Sequence, residues 1–184
     1  MSKRVDLSAY DNSWYSPKAG TLKRVMWLIV QSCFFINPLN ASRSLKVGLL
    51  RLFGAKVGSG VMIKPSIRIK YPWLLEVGDN AWIGEDVWID NLVWVRIGRN
   101  SCLSQGAMLL TGNHNYKRTT FDLIVGEITL EDGVWIGAKA VVCPGVCCGS
   151  HSVLGVLSVA TENLEAFGIY QGNPAKLVRQ RQLE

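Results

Sequence analysis

The stretch Val77-Gly78-Asp79-Asn80-Ala81-Trp82-Ile83-Gly84-Glu85-Asp86-Val87-Trp88-Ile89 holds two turns of one pattern. An aliphatic residue stands at Val77, Ile83 and Ile89. A second, often smaller residue follows four places on, at Ala81 and Val87, and a glycine comes directly after Val77 and Ile83. The same six-residue beat extends outward. Upstream it passes through Val57, Ile63, Ile69 and Leu75; downstream it continues at Val95, then at Ile97, Leu103 and Leu109. After an interruption it returns as Leu130, Ile136, Val142, Cys148 and Leu154. A fixed internal period sets architecture before any local assignment is made. Six is neither the 3.6 period of a helix nor a long run of simple alternation. It is the period of a coil with three short flat sides, each sending one aliphatic side chain to the axis.

Four places after each aliphatic position sits a second, often smaller residue: Val61, Ile67, Ala81, Val87, Ser101, Ala107, Val134, Ala140, Val146, Ser152 and Ser158, with Trp73 the bulky exception. Corners need tight turns. Gly58, Gly78, Gly84, Gly98, Gly137, Gly149 and Gly155 fall where the chain must bend, and their backbone freedom suits them to it. Asn or Asp at turns shares that freedom in part, as in Gly78-Asp79-Asn80 and Gly98-Arg99-Asn100. Coils stacked by backbone hydrogen bonds at ~4.8 Å give a prism walled by three parallel sheets. Separate strands of a sandwich would not hold phase from Val57 to Leu109. The fold class is therefore mainly β, a parallel β-helix of hexapeptide repeats.

A chain of 184 residues with 48% hydrophobic content suits one domain. Residues 57–184 form the β-helix with its tail, and residues 1–56 an N-terminal wrapping and helical segment. Trp82, Trp88, Trp94 and Trp135 each precede or adjoin a core position and should face outward, toward a neighbouring subunit or a ligand. Flat apolar faces of this kind are a liability when exposed, and closed cyclic symmetry would bury them equally. A homotrimer with sites between subunits is the expectation. The net charge of +6, concentrated before residue 70 and in the tail, suits an anionic partner such as a phosphorylated cofactor or a membrane surface. No nucleic-acid motif is visible. Five cysteines form no CxxC pair; an odd number without a signal peptide favours the cytoplasm. With two histidines, a His-rich metal site lacks material, and none is expected.

Ser16-Pro17 reads as an N-cap and first-turn proline. From Thr21 the residues Leu22, Val25, Met26, Ile29, Val30, Cys33 and Phe34 make a helical stripe, stopped by Asn37-Pro38. Its apolar run is too short for a bilayer that needs ~20 residues. The helix either packs on the open end of the prism or lies on a membrane surface. A second helix fits Ser44 to Phe53, with Leu45, Leu49, Leu52 and Phe53 on one face and Gly54 just past its end. Residues 113–127 leave the coil as a projecting loop, and an insertion into a strict repeat is more often functional than accidental.

Six motifs together resemble the hexapeptide-repeat acyltransferases. They are Asp11-Asn12-Ser13-Trp14-Tyr15, Leu50-Arg51-Leu52-Phe53-Gly54-Ala55, Ile69-Lys70-Tyr71-Pro72-Trp73, Thr111-Gly112-Asn113-His114, Gly133-Val134-Trp135-Ile136-Gly137-Ala138 and Gly172-Asn173-Pro174-Ala175-Lys176. The likeness is to the sugar O-acetyltransferase branch that includes galactoside and maltose acetyltransferases, and most to the acetyltransferases of colanic-acid exopolysaccharide biosynthesis. It implies a left-handed coil, acetyl-CoA as co-substrate and a sugar hydroxyl as acceptor. His114, where the repeat breaks, matches the family's general base; neutral imidazole suits proton removal near working pH. No covalent acyl-enzyme is implied. His151 sits at a coil corner and is read as an exposed turn residue. The resemblance assigns Trp135, Ala138 and Val156 to the pantetheine groove, and Thr161, Lys176 and Arg179 to its phosphate end. Asp90 and Asn91 match a pair that helps hold the acceptor, although stabilising a turn would serve as well. Two departures stand out. Gly155-Val156-Leu157-Ser158 replaces a run of smaller residues, and Glu162 follows Thr161 where the family often has lysine. The acceptor is read as a saccharide or saccharide-lipid intermediate, with an antibiotic or serine as alternatives of the same chemistry. A non-catalytic β-helix scaffold is the alternative from another class.

Overall fold

The computed structural model describes residues 4–40 and 42–184. Three parallel sheets wall a prism, as the six-residue period requires. The first joins Lys56–Val57, Leu75–Val77, Val95–Ile97, Ile128–Leu130 and Cys147–Cys148. The second runs Met62–Ile63, Trp82–Ile83, Cys102–Leu103, Trp135–Ile136, Val153–Leu154 and Gly168–Gly172, and Ala175–Gln180 adds to it as an antiparallel edge. The third holds Arg68–Ile69, Trp88–Asp90, Met108–Leu110, Val141–Val142 and Val159–Ala160. Register places like on like: Ile63 pairs with Ile83, Ile83 with Leu103 and Leu103 with Ile136. Every aliphatic position of the repeat from Ile63 to Leu154 is buried, as is every residue four places on. Val57, at the end of the stack, is half-buried. Burial of each Val, Leu or Ile of the stack contributes on the order of 1.5–3 kcal/mol.

The glycines work differently from expectation. Gly58, Gly78, Gly84, Gly98, Gly137, Gly149 and Gly155 are not the residues with left-handed backbone; Asn80, Asp86, Asn100, Lys139, His151 and Leu157 are, at φ of 54–59°. What these glycines supply is room. A Cβ on Gly78 would stand 2.6 Å from Arg99 N, and one on Gly84 2.7 Å from Leu103 O. Stacked coils touch backbone to backbone at these corners, and no side chain fits between them.

Two helices cover the start of the prism, α1 (Thr21–Gln31) and α2 (Arg43–Leu52). The helix starts at Thr21 with Gly20 as its N-cap, so Ser16-Pro17 lies outside it, without regular secondary structure. Its facing also corrects the stripe read from sequence. Leu22, Val25, Met26 and Ile29 are exposed, while Trp27 and, in the π-turn Ser32–Ile36 that follows, Phe35 are buried. Aromatic surface decides the rotation, because one indole buries more area than an aliphatic side chain. Trp27 meets Phe35 edge-on at 5.1 Å and Phe53 at 5.2 Å. Its Nε1 donates to Ile69 O at 2.8 Å, and Gln31 Oε1 accepts from Ile69 N at 2.6 Å. The edge strand Arg68–Ile69 is thereby capped, which removes an open template for pairing.

In α2 the Ser42 hydroxyl accepts from Leu45 N, and Gly54 takes φ of 99° just past the end. Leu50 and Phe53 are buried, but Leu45 and Leu52 are exposed, and Lys46 lies inside in their place. The Lys46 ammonium donates to Lys64 O at 3.0 Å, and burial pushes its pKa down.

Residues 113–127 form an arm with internal pairing. Gly112–His114 runs antiparallel to Leu123–Val125, with His114 opposite Leu123. Gly126 N donates to Thr111 O at 2.9 Å at its neck. Val95 pairs directly with Ile128, so the ladder passes beneath the arm unbroken.

Candidate active site

His114 stands on the first strand of the arm, where one hydrogen bond and one ring stack hold its imidazole. Nδ1 lies 2.9 Å from Phe121 O, and the ring stacks on Phe121 at 4.3 Å with the planes 7° apart. A carbonyl oxygen accepts and cannot donate, so the proton of the neutral ring resides on Nδ1. Nε2 is left as the basic nitrogen. Phe121 holds this position with a left-handed φ of 51°. Thr111, at the neck, is buried; its hydroxyl donates to Asp90 O and accepts from Leu92 N. The arm is thus tied to the coil that carries Asp90.

A cavity of about 550 Å³ opens beside this histidine, lined by His114, Asp90, Tyr10, Tyr15, Arg24 and Lys70 among others. Asp90 Oδ1 lies 2.9 Å from Lys70 Nζ. Asn91, named with Asp90 from sequence, turns the other way. It is fully buried, its Oδ1 accepts from Tyr71 N, and its Nδ2 donates to Tyr71 O and Leu74 O. Both amide donors are spent on backbone, so Asn91 shapes the coil and only Asp90 faces the cavity.

The N-terminal segment wraps this side of the prism. Tyr10 lies 5.7 Å from the His114 ring, Tyr15 donates to Leu92 O at 2.8 Å, and Trp73 Nε1 donates to Pro17 O at 2.7 Å. Asp6 N reaches Thr119 O near the tip of the arm. Burial, foremost, pushes the Tyr15 phenol well above its ordinary range, and it stays a neutral donor.

A second cleft of about 570 Å³ lies along the sheet that carries Trp135. It brings together Trp135, Ala138, Val156 and Arg179, with Gly137 and Gly155 on its floor. Thr161 and Lys176 lie outside its lining and are exposed, as is Glu162. Arg181 is present instead, its Nη1 donating to Gly133 O and His151 O. Trp135 Nε1 donates to Ser104 Oγ at 2.9 Å, which fixes the outward indole. The two clefts share no lining residue. His151, at its corner, is half-buried and stacks on Phe167 at 4.9 Å.

Tyr10, Tyr15, Arg24 and Lys70 had no assigned role from sequence. Tyr15 and Lys70 do fall inside two of the six motifs, which was the available signal. Arg24 belongs to a helix whose facing the periodicity misread. Arg181 follows the last strand and carries no pattern.

No family model matches the sequence. The chain is 35% identical over 176 residues to a protein of Escherichia coli (strain K12) provisionally named colanic acid biosynthesis acetyltransferase WcaF, covering 96% of this chain and 97% of that one. Among solved structures, the hexapeptide-repeat containing acetyltransferase VCA0836 from Vibrio cholerae superposes with a TM-score of 0.79 at 21% identity, over 88% of this chain and 92% of its own. A galactoside acetyltransferase in complex with coenzyme A gives 0.77 at 23% identity, over 88% and 82%.

Proposed function

The chain belongs to the hexapeptide-repeat acetyltransferases, with their left-handed parallel β-helix, and from that premise we propose that it is an acetyl-CoA-dependent O-acetyltransferase of a sugar hydroxyl in surface-polysaccharide synthesis. The observation that carries the mechanism is the His114 ring, with Nδ1–H held by Phe121 O and Nε2 left basic. An acceptor hydroxyl in the adjoining cavity gives its proton to Nε2 as its oxygen attacks the acetyl carbon. The carbon–oxygen bond forms, the carbon–sulfur bond breaks, and the proton passes from the imidazolium to the leaving thiolate. General base assistance of this kind is worth roughly 10²–10⁴-fold. Phe121 O also stabilises the imidazolium, which donates from both nitrogens.

The Trp135 cleft fits the donor. Its walls are mostly apolar, Gly137 and Gly155 keep it open, and Arg179 and Arg181 supply cations for phosphate. In this reading Trp135, Ala138 and Val156 take the pantetheine arm and Arg179 the phosphates. Thr161 and Lys176 are reached only by parts of the donor that extend beyond the cleft. Acetyl-CoA supplies the activated acetyl group when bound. Separate clefts for base and donor in one chain support transfer across a subunit boundary in a homotrimer. Exposed Trp82, Trp88 and Trp135 offer the faces for it.

A saccharide-lipid acceptor at the inner face of the cytoplasmic membrane is the finer part of the reading. Leu22, Val25, Met26, Leu28 and Ile29 are exposed on α1. From Asn12 through Leu75 the sequence holds no Asp or Glu, while Lys18, Lys23 and Arg43 lie in that stretch. An apolar face among unopposed cations suits an anionic bilayer surface. Among the described residues no helix is long and apolar enough to cross a membrane.

The test is acetyl-CoA thioester consumption against neutral sugars, nucleotide sugars, lipid-linked oligosaccharides, serine and chloramphenicol. Consumption stimulated by a saccharide supports the proposal. Stimulation by serine or chloramphenicol alone, or by nothing in the panel, contradicts it.

A further inference from the structure

Among the described residues, one cation in the His114 cavity has no ion-pair partner. Lys70 is answered by Asp90 at 2.9 Å, a pair neutral in itself. Arg24, in the first turn of α1, takes part in none of the ion pairs among the described residues. Its Nη2 donates to Thr21 Oγ1 at 3.1 Å, while its Nε is closed off from solvent and has no hydrogen-bond partner among the described residues. Buried donors in native proteins are nearly always satisfied, and each exception calls for a reason. Folding alone gives none here: the guanidinium reaches no carbonyl within bonding distance of Nε and caps no helix end. Arg24 is close enough to Tyr15 to oppose the upward push that burial gives the phenol.

From this arrangement we propose that Arg24 is an oxyanion subsite of the acceptor cavity, and that the sugar acetylated at His114 carries a carboxylate or phosphoryl group. This rests on the acetyltransferase reading and narrows its substrate class. A guanidinium presents its N–H groups in a planar fork that matches a carboxylate or phosphate, and its charge does not titrate away. The anion belongs to the acceptor and not to coenzyme A, because the donor cleft has its own arginines, Arg179 and Arg181, and shares no lining residue with this cavity. The Lys70–Asp90 pair and the Tyr10 hydroxyl remain for the neutral hydroxyls of the same sugar.

The experiment measures binding of glucose, glucuronate and glucose 1-phosphate to the full-length protein, without acetyl donor. These probes share a pyranose ring and differ in charge. At least one anionic probe should bind about 10- to 100-fold more tightly than glucose, the range of one charge-assisted contact, and added salt should weaken that preference. Which anion is preferred separates a uronate from a phosphoryl source. In Arg24→Gln the preference should disappear while glucose binding holds, and Arg24→Lys should recover part of it. Should Arg24→Gln fail to fold, the preference of the unmodified protein and its loss in salt still decide. Equal binding of all three probes, or a preference that survives Arg24→Gln, overturns the subsite. Acetylation of neutral sugars without anion preference overturns the subsite and leaves the activity. Anion-preferring binding without transfer to any acceptor overturns the activity and leaves the subsite.

Discussion

Replacing Gly84 by Ala should destabilise the prism, and the sign of that change separates two accounts of its glycines. Gly84 N donates to Leu103 O at 2.8 Å, a rung between adjacent coils. A Cβ on residue 84 would stand 2.7 Å from that same oxygen and 3.0 Å from Ser104 C. Carbon and oxygen settle near 3.3 Å or beyond, so the coils must part by about half an ångström at this corner. The obstacle is backbone and cannot swing away. Overpacking of this kind costs about 1–3 kcal/mol, and weakening the rung adds up to about 1 kcal/mol. A stiffer unfolded chain returns about 0.4–1 kcal/mol. The net destabilisation is about 1–3 kcal/mol. Gly48 is the control. It lies exposed within α2 with no atom within 4 Å of its would-be Cβ, so Gly48→Ala should stabilise by about 0.5–1 kcal/mol. Urea unfolding of both variants at one protomer concentration reads the comparison, with midpoints moving in opposite directions at constant slope. If Gly84→Ala shifts the midpoint upward as Gly48→Ala does, the close-approach account is wrong.

Arg179→Ala should raise the Michaelis constant for acetyl-CoA severalfold with little change for the acceptor, and Lys176→Ala should do less, because Arg179 lines the donor cleft and Lys176 does not; steady-state kinetics with each substrate varied settles the order, and equal effects would move the phosphate site. Cys148 is fully buried, and burial pushes its thiol up to about 12, whereas Cys33 is exposed. Iodoacetamide near pH 8 should therefore label Cys33 first and Cys148 only after unfolding, with peptide mapping as the readout; early loss of Cys148 would contradict the packing. Lys46 carries a folded-state pKa below its unfolded value near 10.4, so the unfolded state binds more protons there and stability should rise as pH climbs toward that value; Lys46→Met should flatten this slope in urea midpoints taken from pH 8 to 10, and an unchanged slope would place its origin elsewhere.

The period of six carried most of the architecture. It located the core at one aliphatic position per hexad, to which the structure adds the residue four places on, and the break after Leu109 marked where the arm leaves. Period alone fails where side chains of unlike size compete for the same space. On α1 a stripe of Leu22, Val25, Met26 and Ile29 had better helical spacing than Trp27 and Phe35, yet the two aromatics took the interior. On α2, Lys46 could be buried because its tip finds Lys64 O, a contact between residues 18 apart that no pattern along the helix reveals. The same limit applies at the site. His114 and Asp90 stand within or beside the repeat, where motif and spacing both point. Tyr10 and Tyr15 reach the cavity from a segment without periodicity, whose path is set by side-chain bonds to Leu92 and Trp73, and Arg24 reaches it from a helix whose facing the apolar stripe misplaces. Asn91 shows the reverse, a polar side chain at the expected position whose hydrogen bonds are taken by backbone.

Acetyl-CoA thioester consumption by His114→Ala, with a saccharide acceptor that the unmodified protein uses, tests the central claim most directly. Sedimentation and coenzyme A binding are measured on the same sample, because His114 starts the arm and fills no core position. Turnover should fall roughly 10²–10⁴-fold, the contribution of a general base, with the assembly and coenzyme A affinity preserved. Near-normal turnover in the variant would remove His114 from the chemistry and contradict the mechanism.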